Sequence, residues 1–141
     1  MKYVHTNIIA KNLKLLSEFY IKVFDCKPVL PERDINGDWL EKGTGVKNAS
    51  LHGIHLLLPG FDNDGPTLEI FQYHENENKP NPVANREGFG HIAFLVPDVD
   101  DILNKMISHG IDYSLQDYDY IEAYPGKGES PRAHSPMLAA G

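Results

Sequence analysis

Shifting the sequence by 86 positions lays residues 5–20 over residues 91–106 without a gap. His5 then meets His91, Asn12 meets Asp98, and Leu13, Leu16 and Tyr20 meet Val99, Ile102 and Met106. This period is longer than those of the common solenoid repeats, but it constrains the fold in the same way: one supersecondary unit is written twice. In the first copy, residues 2–10 (KYVHTNIIA) alternate and are rich in β-branched types, which predicts a strand. Asn12 is placed to cap a helix running to residue 25, with Leu13, Leu16, Tyr20 and Val23 on one face. Further strands are expected at 27–30, around Trp39, at 51–58 and at 67–73, separated by Asn-Gly, Gly-Thr-Gly and Asn-Asp-Gly-Pro turn signals. Residues 74–87 are polar and carry two prolines, the composition of a linker. The expected fold is therefore α+β, with paired βαβββ modules forming a cleft-lining mixed sheet. The single domain 1–141 divides into module 1–75, linker 76–87 and module 88–141. The second module is expected to be incomplete at its C-terminus: the counterpart of Glu69 falls past Gly141, and PRAHSPMLAAG has neither alternation nor an acid.

Strand parity selects the residues that bear chemistry. His5 shares a face with Asn7 and Ile9, opposite Val4 and Ile8; His91 goes with Ala93 and Leu95, opposite Ile92, Phe94 and Val96. Each histidine points away from the more apolar face. In TLEIFQY, Glu69 stands among apolar neighbours with Phe71 and Tyr73 on its own side, where a lone carboxylate is costly unless paired or bound to a cation. A single strand histidine is usually a hydrogen-bonded structural group, but two at equivalent repeat positions, with an acid, suit a divalent ion of Zn, Ni, Co, Fe or Mn type. His52 and His55 have opposite parity, so at most one can face a cleft; with His74 and His109 they are expected to be structural or solvated. Cys26, the single cysteine, follows a helix C-terminus whose dipole raises a thiol pKa, which argues against a nucleophile.

Composition removes several classes. The chain carries a formal net charge of −7 and has no Lys/Arg run, so nucleic acid is not an expected partner. No apolar stretch approaches the roughly 20 residues needed to span a bilayer, and no membrane association is expected. One cysteine and an N-terminus that enters directly into an alternating pattern lead to the expectation of a reducing, cytoplasmic setting.

These segments resemble the vicinal oxygen chelate superfamily, which includes glyoxalase I, methylmalonyl-CoA epimerase, extradiol dioxygenases and bleomycin- or fosfomycin-resistance proteins. The resemblance rests on His5 with the downstream Phe19, Tyr20 and Phe24, on LEIFQY around Glu69, and on GFGHIAFLVPDVDD around His91. GFGHIAFLVPDV is most similar to glyoxalase I, and a glutamate at position 69 fits that pattern better than the glutamine usual in epimerases. The resemblance implies a divalent metal ion, Zn or Ni first, held by His5, Glu69 and His91. It also implies a catalytic carboxylate, here Glu69, and a homodimer. The implied activity is a glyoxalase I-like lyase or isomerase acting through an enediolate on a small oxygen-chelating substrate such as a hemithioacetal. Alternatives are a metal-free binding protein of the antibiotic-sequestering type, an acyl-CoA epimerase, or an extradiol dioxygenase. Arg86, Phe71 and Tyr73 are the expected substrate-binding residues, with Glu87 standing where glyoxalase I has an arginine. The family's fourth ligand, within a motif resembling Asp-Pro-x-Gly-Asn, has no counterpart; Glu122, Glu129 and His134 are the remaining candidates.

Overall fold

The computed structural model describes residues 1–77 and 92–111. Arg86, Glu87, His91, Glu122, Glu129 and His134 lie outside the described residues, as do most of the expected linker and the tail after residue 111. The chain divides into two compact units, Met1–Lys79 and Pro80–Gly141.

The first unit is α+β. In chain order it contains β1 (His5–Ile9), α1 (Leu13–Phe24), β2 (Lys27–Asn36), α2 (Asp38–Thr44), β3 (Ser50–Leu57) and β4 (Thr67–Tyr73). The strands form one open mixed sheet in the order β1-β4-β3-β2. β4 runs antiparallel to β3 and parallel to β1, so the last strand returns beside the first. The ladder between β1 and β4 is closed at both ends, by Thr67 N–H donating to the Val4 carbonyl at 2.9 Å and Ala10 N–H to the Phe71 carbonyl at 2.7 Å. Beyond it, the Asn76 side chain donates to the Ala10 carbonyl at 2.9 Å and accepts from Tyr73 N–H at 3.2 Å.

Helix α1 begins where expected. The Asn12 side chain accepts from Leu15 N–H at 2.9 Å, satisfying one of the helix's otherwise unpaired donors, and the Gln72 side chain from β4 accepts from Leu13 N–H at 2.8 Å. Leu16, Tyr20, Val23 and Phe24 are buried on α1, and the helix packs on the sheet face that carries Ile54, Leu56, Leu68 and Ile70, all buried. The other face carries His5 and Asn7 of β1, Glu69 and Phe71 of β4, and Leu51 and His55 of β3, because side chains two residues apart share a side. Helix α2 covers one end of that second face, seating Leu40 with Ala49 and Leu51 against Ile35, Phe71 and Tyr73.

Trp39, expected in a strand, lies instead in α2 and is 64% exposed. Gly37, at φ 108, lets the chain turn, and its carbonyl accepts from Leu40 and Glu41 N–H groups. Asp38 and Glu41 suit the positive N-terminal end, and Gly45, at φ 72, closes the other end in the left-handed region. A seven-residue helix with one buried residue has too few apolar positions to display a 3.6-residue period. Strand β2 also runs six residues past its expected end, through Pro31 and three charged residues. As the sheet's edge strand it tolerates proline, and its pairing with β3 shifts register between Val29 and Arg33.

In the second unit, α3 (Val99–Ser108) is capped by Asp98, whose side chain accepts from Asp100 N–H at 2.8 Å, and it buries Ile102 and Met106. Of the strand expected to open at His91, the described part, 92–96, is not a regular strand, although its burial alternates with the expected parity. The repeat is visible in burial. From Thr6 to Leu16, every residue has the same class of exposure as the residue 86 positions later, from Ile92 to Ile102. Among the described residues no helix is long and apolar enough to cross a membrane.

Two glycines in the first unit have opposite surroundings. A Cβ on Gly53 of β3 would meet the Phe71 ring at 2.4 Å, whereas one on Gly43 of α2 meets nothing within 4 Å. Gly53→Ala is therefore expected to destabilise the protein by about 1–3 kcal/mol through overpacking. Gly43→Ala is expected to stabilise it by about 0.4–1 kcal/mol by restricting the unfolded chain. Urea denaturation monitored by circular dichroism reads both.

Candidate functional site

The second sheet face gathers three ionisable side chains at one carboxylate. Glu69 is buried, at 8% exposure, in the central strand β4 between β1 and β3. Its neighbour on the β1 side is Asn7, which places His5, two residues earlier, on the same face. Its partner on β3 is His55. His5 Nδ1 lies 3.4 Å and His55 Nε2 lies 3.2 Å from the same oxygen, Glu69 Oε1. Asn7 Nδ2 stands 3.5 Å from the Glu69 backbone carbonyl, at the outer limit of a hydrogen bond.

The groups differ in exposure. The His5 side chain is 47% exposed, that of His55 20% and that of Glu69 11%. Burial holds the His55 imidazole below its ordinary pKa; the Glu69 carboxylate pulls it upward, while Arg33 and His5 push it further down. Burial thus favours the uncharged form of the His55 ring, whose Nε2 stands within contact distance of Glu69. Phe71 completes the floor: its ring lies over Gly53, with its centroid 6.0 Å from that of His55.

His5 and Glu69 are thus brought together as the sequence reading expected. Phe71 lies on the Glu69 face, and Tyr73, also on it, packs with Phe71 against the apolar cluster under α2. His55 was expected to be structural or solvated; it faces Glu69, with Nε2 3.2 Å from Oε1. The parity argument allowed one of His52 and His55 onto this face without saying which. The antiparallel register sets His55 opposite Glu69, and the sequence does not state that register. His52 points to the other face, exposed, with Nδ1 3.7 Å from Asp34.

The donors suit a borderline-hard divalent cation. Two ligands at right angles or a tetrahedral angle on an ion about 2.1 Å from each stand roughly 3.0–3.4 Å apart, the range found between His5 and Glu69. Among the described residues no group of three His, Cys, Asp or Glu side chains is disposed to hold a metal ion alone.

An open mixed sheet whose first and last strands pair in parallel, with a histidine and a glutamate converging on its free face, defines a class of fold in which βαβββ units carry the site. Residues 2–120 match the family model for the Glyoxalase/Bleomycin resistance protein/Dioxygenase superfamily, and the chain belongs to that superfamily. A glyoxalase family protein from Bacillus cereus superposes with a TM-score of 0.63 at 17% identity, over 78% of this chain and 71% of that one. A glyoxylase/bleomycin resistance protein/dioxygenase domain from Frankia sp. EAN1pec gives a TM-score of 0.56 at 16% identity, over 89% and 82%. A fosfomycin resistance protein from Listeria monocytogenes, solved as a point mutant with Mn(II) and 1S,2S-dihydroxypropylphosphonic acid, gives 0.44 at 14% identity over 77% and 68%, too distant a likeness to weigh. No curated protein sequence matches the chain.

Cys26 takes no part in this arrangement. It is 2% exposed, and burial, with a smaller push from Asp25, raises its thiol to about 12. The expected direction is correct, but burial, not the helix dipole, is the main cause. A thiol reagent such as Ellman's is expected to leave the native protein unmodified at pH 8 and to titrate one equivalent after denaturation. Rapid reaction of the native protein contradicts this burial.

Proposed function

We propose that the protein is a metal-dependent lyase or isomerase of the glyoxalase I kind, acting on a small substrate with adjacent oxygens such as a hemithioacetal. The observation that carries this reading is the convergence of His5 and Glu69 on one sheet face at the spacing of two ligands of one ion. His91, the repeat partner of His5, is proposed as the third ligand on the strength of the sequence repeat and the family likeness. A bound divalent ion supplies Lewis acidity toward the two substrate oxygens. Glu69, the one carboxylate buried on this face among the described residues, is proposed as the group that accepts the proton from the neighbouring carbon. Phe71 and Tyr73 offer apolar surface beside it, and Arg86 is proposed to meet an anionic group of the substrate. Zn and Ni are the proposed ions for this donor set, and a homodimer in the cytoplasm is proposed from the family likeness.

Protein purified without an affinity tag is expected to carry one equivalent of transition metal by elemental analysis. His5→Ala, His91→Ala and Glu69→Gln are each expected to bring it to background while circular dichroism stays unchanged. The metal-loaded protein is expected to isomerise the hemithioacetal of methylglyoxal and glutathione. A folded sample that takes up no added Zn or Ni overturns the proposal and leaves the metal-free binding protein. Metal uptake without turnover of the hemithioacetal overturns the glyoxalase-type assignment and directs assays to an acyl-CoA epimerase or extradiol dioxygenase reaction.

A further inference from the structure

The proposed reaction uses His5 and Glu69, yet a third side chain shares their meeting point. His55 Nε2 lies 3.2 Å from Glu69 Oε1, the oxygen that also faces His5. This contact is built into the sheet, because His55 is directly opposite Glu69 in the antiparallel pairing of β3 and β4, where facing side chains stand closest. The ring is mostly buried and flanked by Phe71, which lies over Gly53. Oε1 is thus the carboxylate oxygen that both rings approach.

We infer that His55 is a positioning residue for Glu69: it donates its Nε2–H to Oε1, fixes the carboxylate torsion and leaves Oε2 as the oxygen offered to a ligand. A buried carboxylate with both oxygens unheld can rotate about its last bond, and each orientation presents a different atom to the site. One fixed donor removes that freedom. A neutral imidazole carries its single proton on one nitrogen only, so the role requires the Nε2–H tautomer. The contribution of His55 to metal binding rests on the reading in the previous subsection; its contact with Glu69 does not.

Two experiments separate these levels. In the metal-free wild-type protein, long-range nitrogen-proton correlation spectra of 15N-histidine are expected to show a proton on His55 Nε2; an unprotonated Nε2 overturns the inference whatever metal the protein binds. Cobalt(II) titration followed by visible absorption is the second. His55→Leu is expected to weaken cobalt binding about 10–100-fold, the usual effect of removing a group that orients a metal ligand. His55→Gln, whose amide reaches the place of Nε2, is expected to restore most of that affinity, and His55→Asn, which reaches only the place of Nδ1, is not. A folded His55→Leu that binds cobalt like the wild type overturns the inference, as does a His55→Gln no better than His55→Asn. If His55→Leu fails to fold, the comparison of Gln with Asn decides. A wild type that takes up no cobalt overturns the metal reading, and the nitrogen spectra then decide the hydrogen bond alone.

Discussion

The parallel pairing of β1 with β4 is the constraint on which the rest of the first unit depends. Residues 5 and 69 are separated by a helix, two strands and a second helix, and only the return of the last strand to the side of the first brings them together. Closing a loop of that length costs conformational entropy, which must be recovered by burial. The recovery is on the far face: Leu56, Leu68 and Ile70 are almost wholly removed from water, and α1 seals them with Tyr20 and Val23. Gln72 accepting from the first turn of α1, and Asn76 bridging Ala10 and Tyr73, tie the helix start and the strand end to the same joint. One face thus secures the pairing and leaves the other free to hold polar groups.

That free face carries a cost of its own. Removing a carboxylate from water in the middle of a sheet disfavours the folded state by several kcal/mol in the absence of partners. Glu69 meets this with two imidazoles at one oxygen, one half-exposed and one mostly buried. The division is physically sensible. Burial favours the uncharged form of the inner ring, so no second desolvated charge is needed. The exposed ring keeps access to solvent and to whatever enters from outside. The apolar cluster of Leu40, Ala49 and Leu51 under α2 closes the other end of the face and gives Phe71 and Tyr73 a packing role alongside the substrate-binding one proposed for them.

Much of this was legible in the residues. Glu69 stood out because its neighbours in TLEIFQY are apolar, and His5 because alternation set it opposite the packed face. Asn12 and Asp98 were readable as caps, and both accept helix N–H groups. What could not be read was register. His55 faces Glu69 because the connection at 58–66 places β3 and β4 with those two residues opposite, and loop composition does not state that alignment. Trp39 was misplaced for a different reason: α2 is too short for periodicity to outweigh the strands on either side, and its cause is a glycine at φ 108 with favourable charges following it. The candidates after residue 111 fall outside the described residues, as does His91.

The two copies of the repeat agree in burial along the approach to the helix and differ where the helix ends. Ala10 and Val96, Leu16 and Ile102, Tyr20 and Met106 are buried in register, with very different side-chain volumes in the last pair. Val23 and Phe24, in contrast, are buried at the end of the twelve-residue α1, whereas His109 and Gly110 are exposed beyond the ten-residue α3. What is repeated is the joint itself: alternating burial, a capping side chain, then a first buried turn. Such a joint sets the direction in which the preceding strand residue points, because the cap and the first buried turn lock the strand's rotation about its axis. In the first copy the residue so directed is His5. A joint that recurs while the helix ends and side-chain volumes differ is the part of the scaffold that aims a side chain, and the surrounding packing is free to vary.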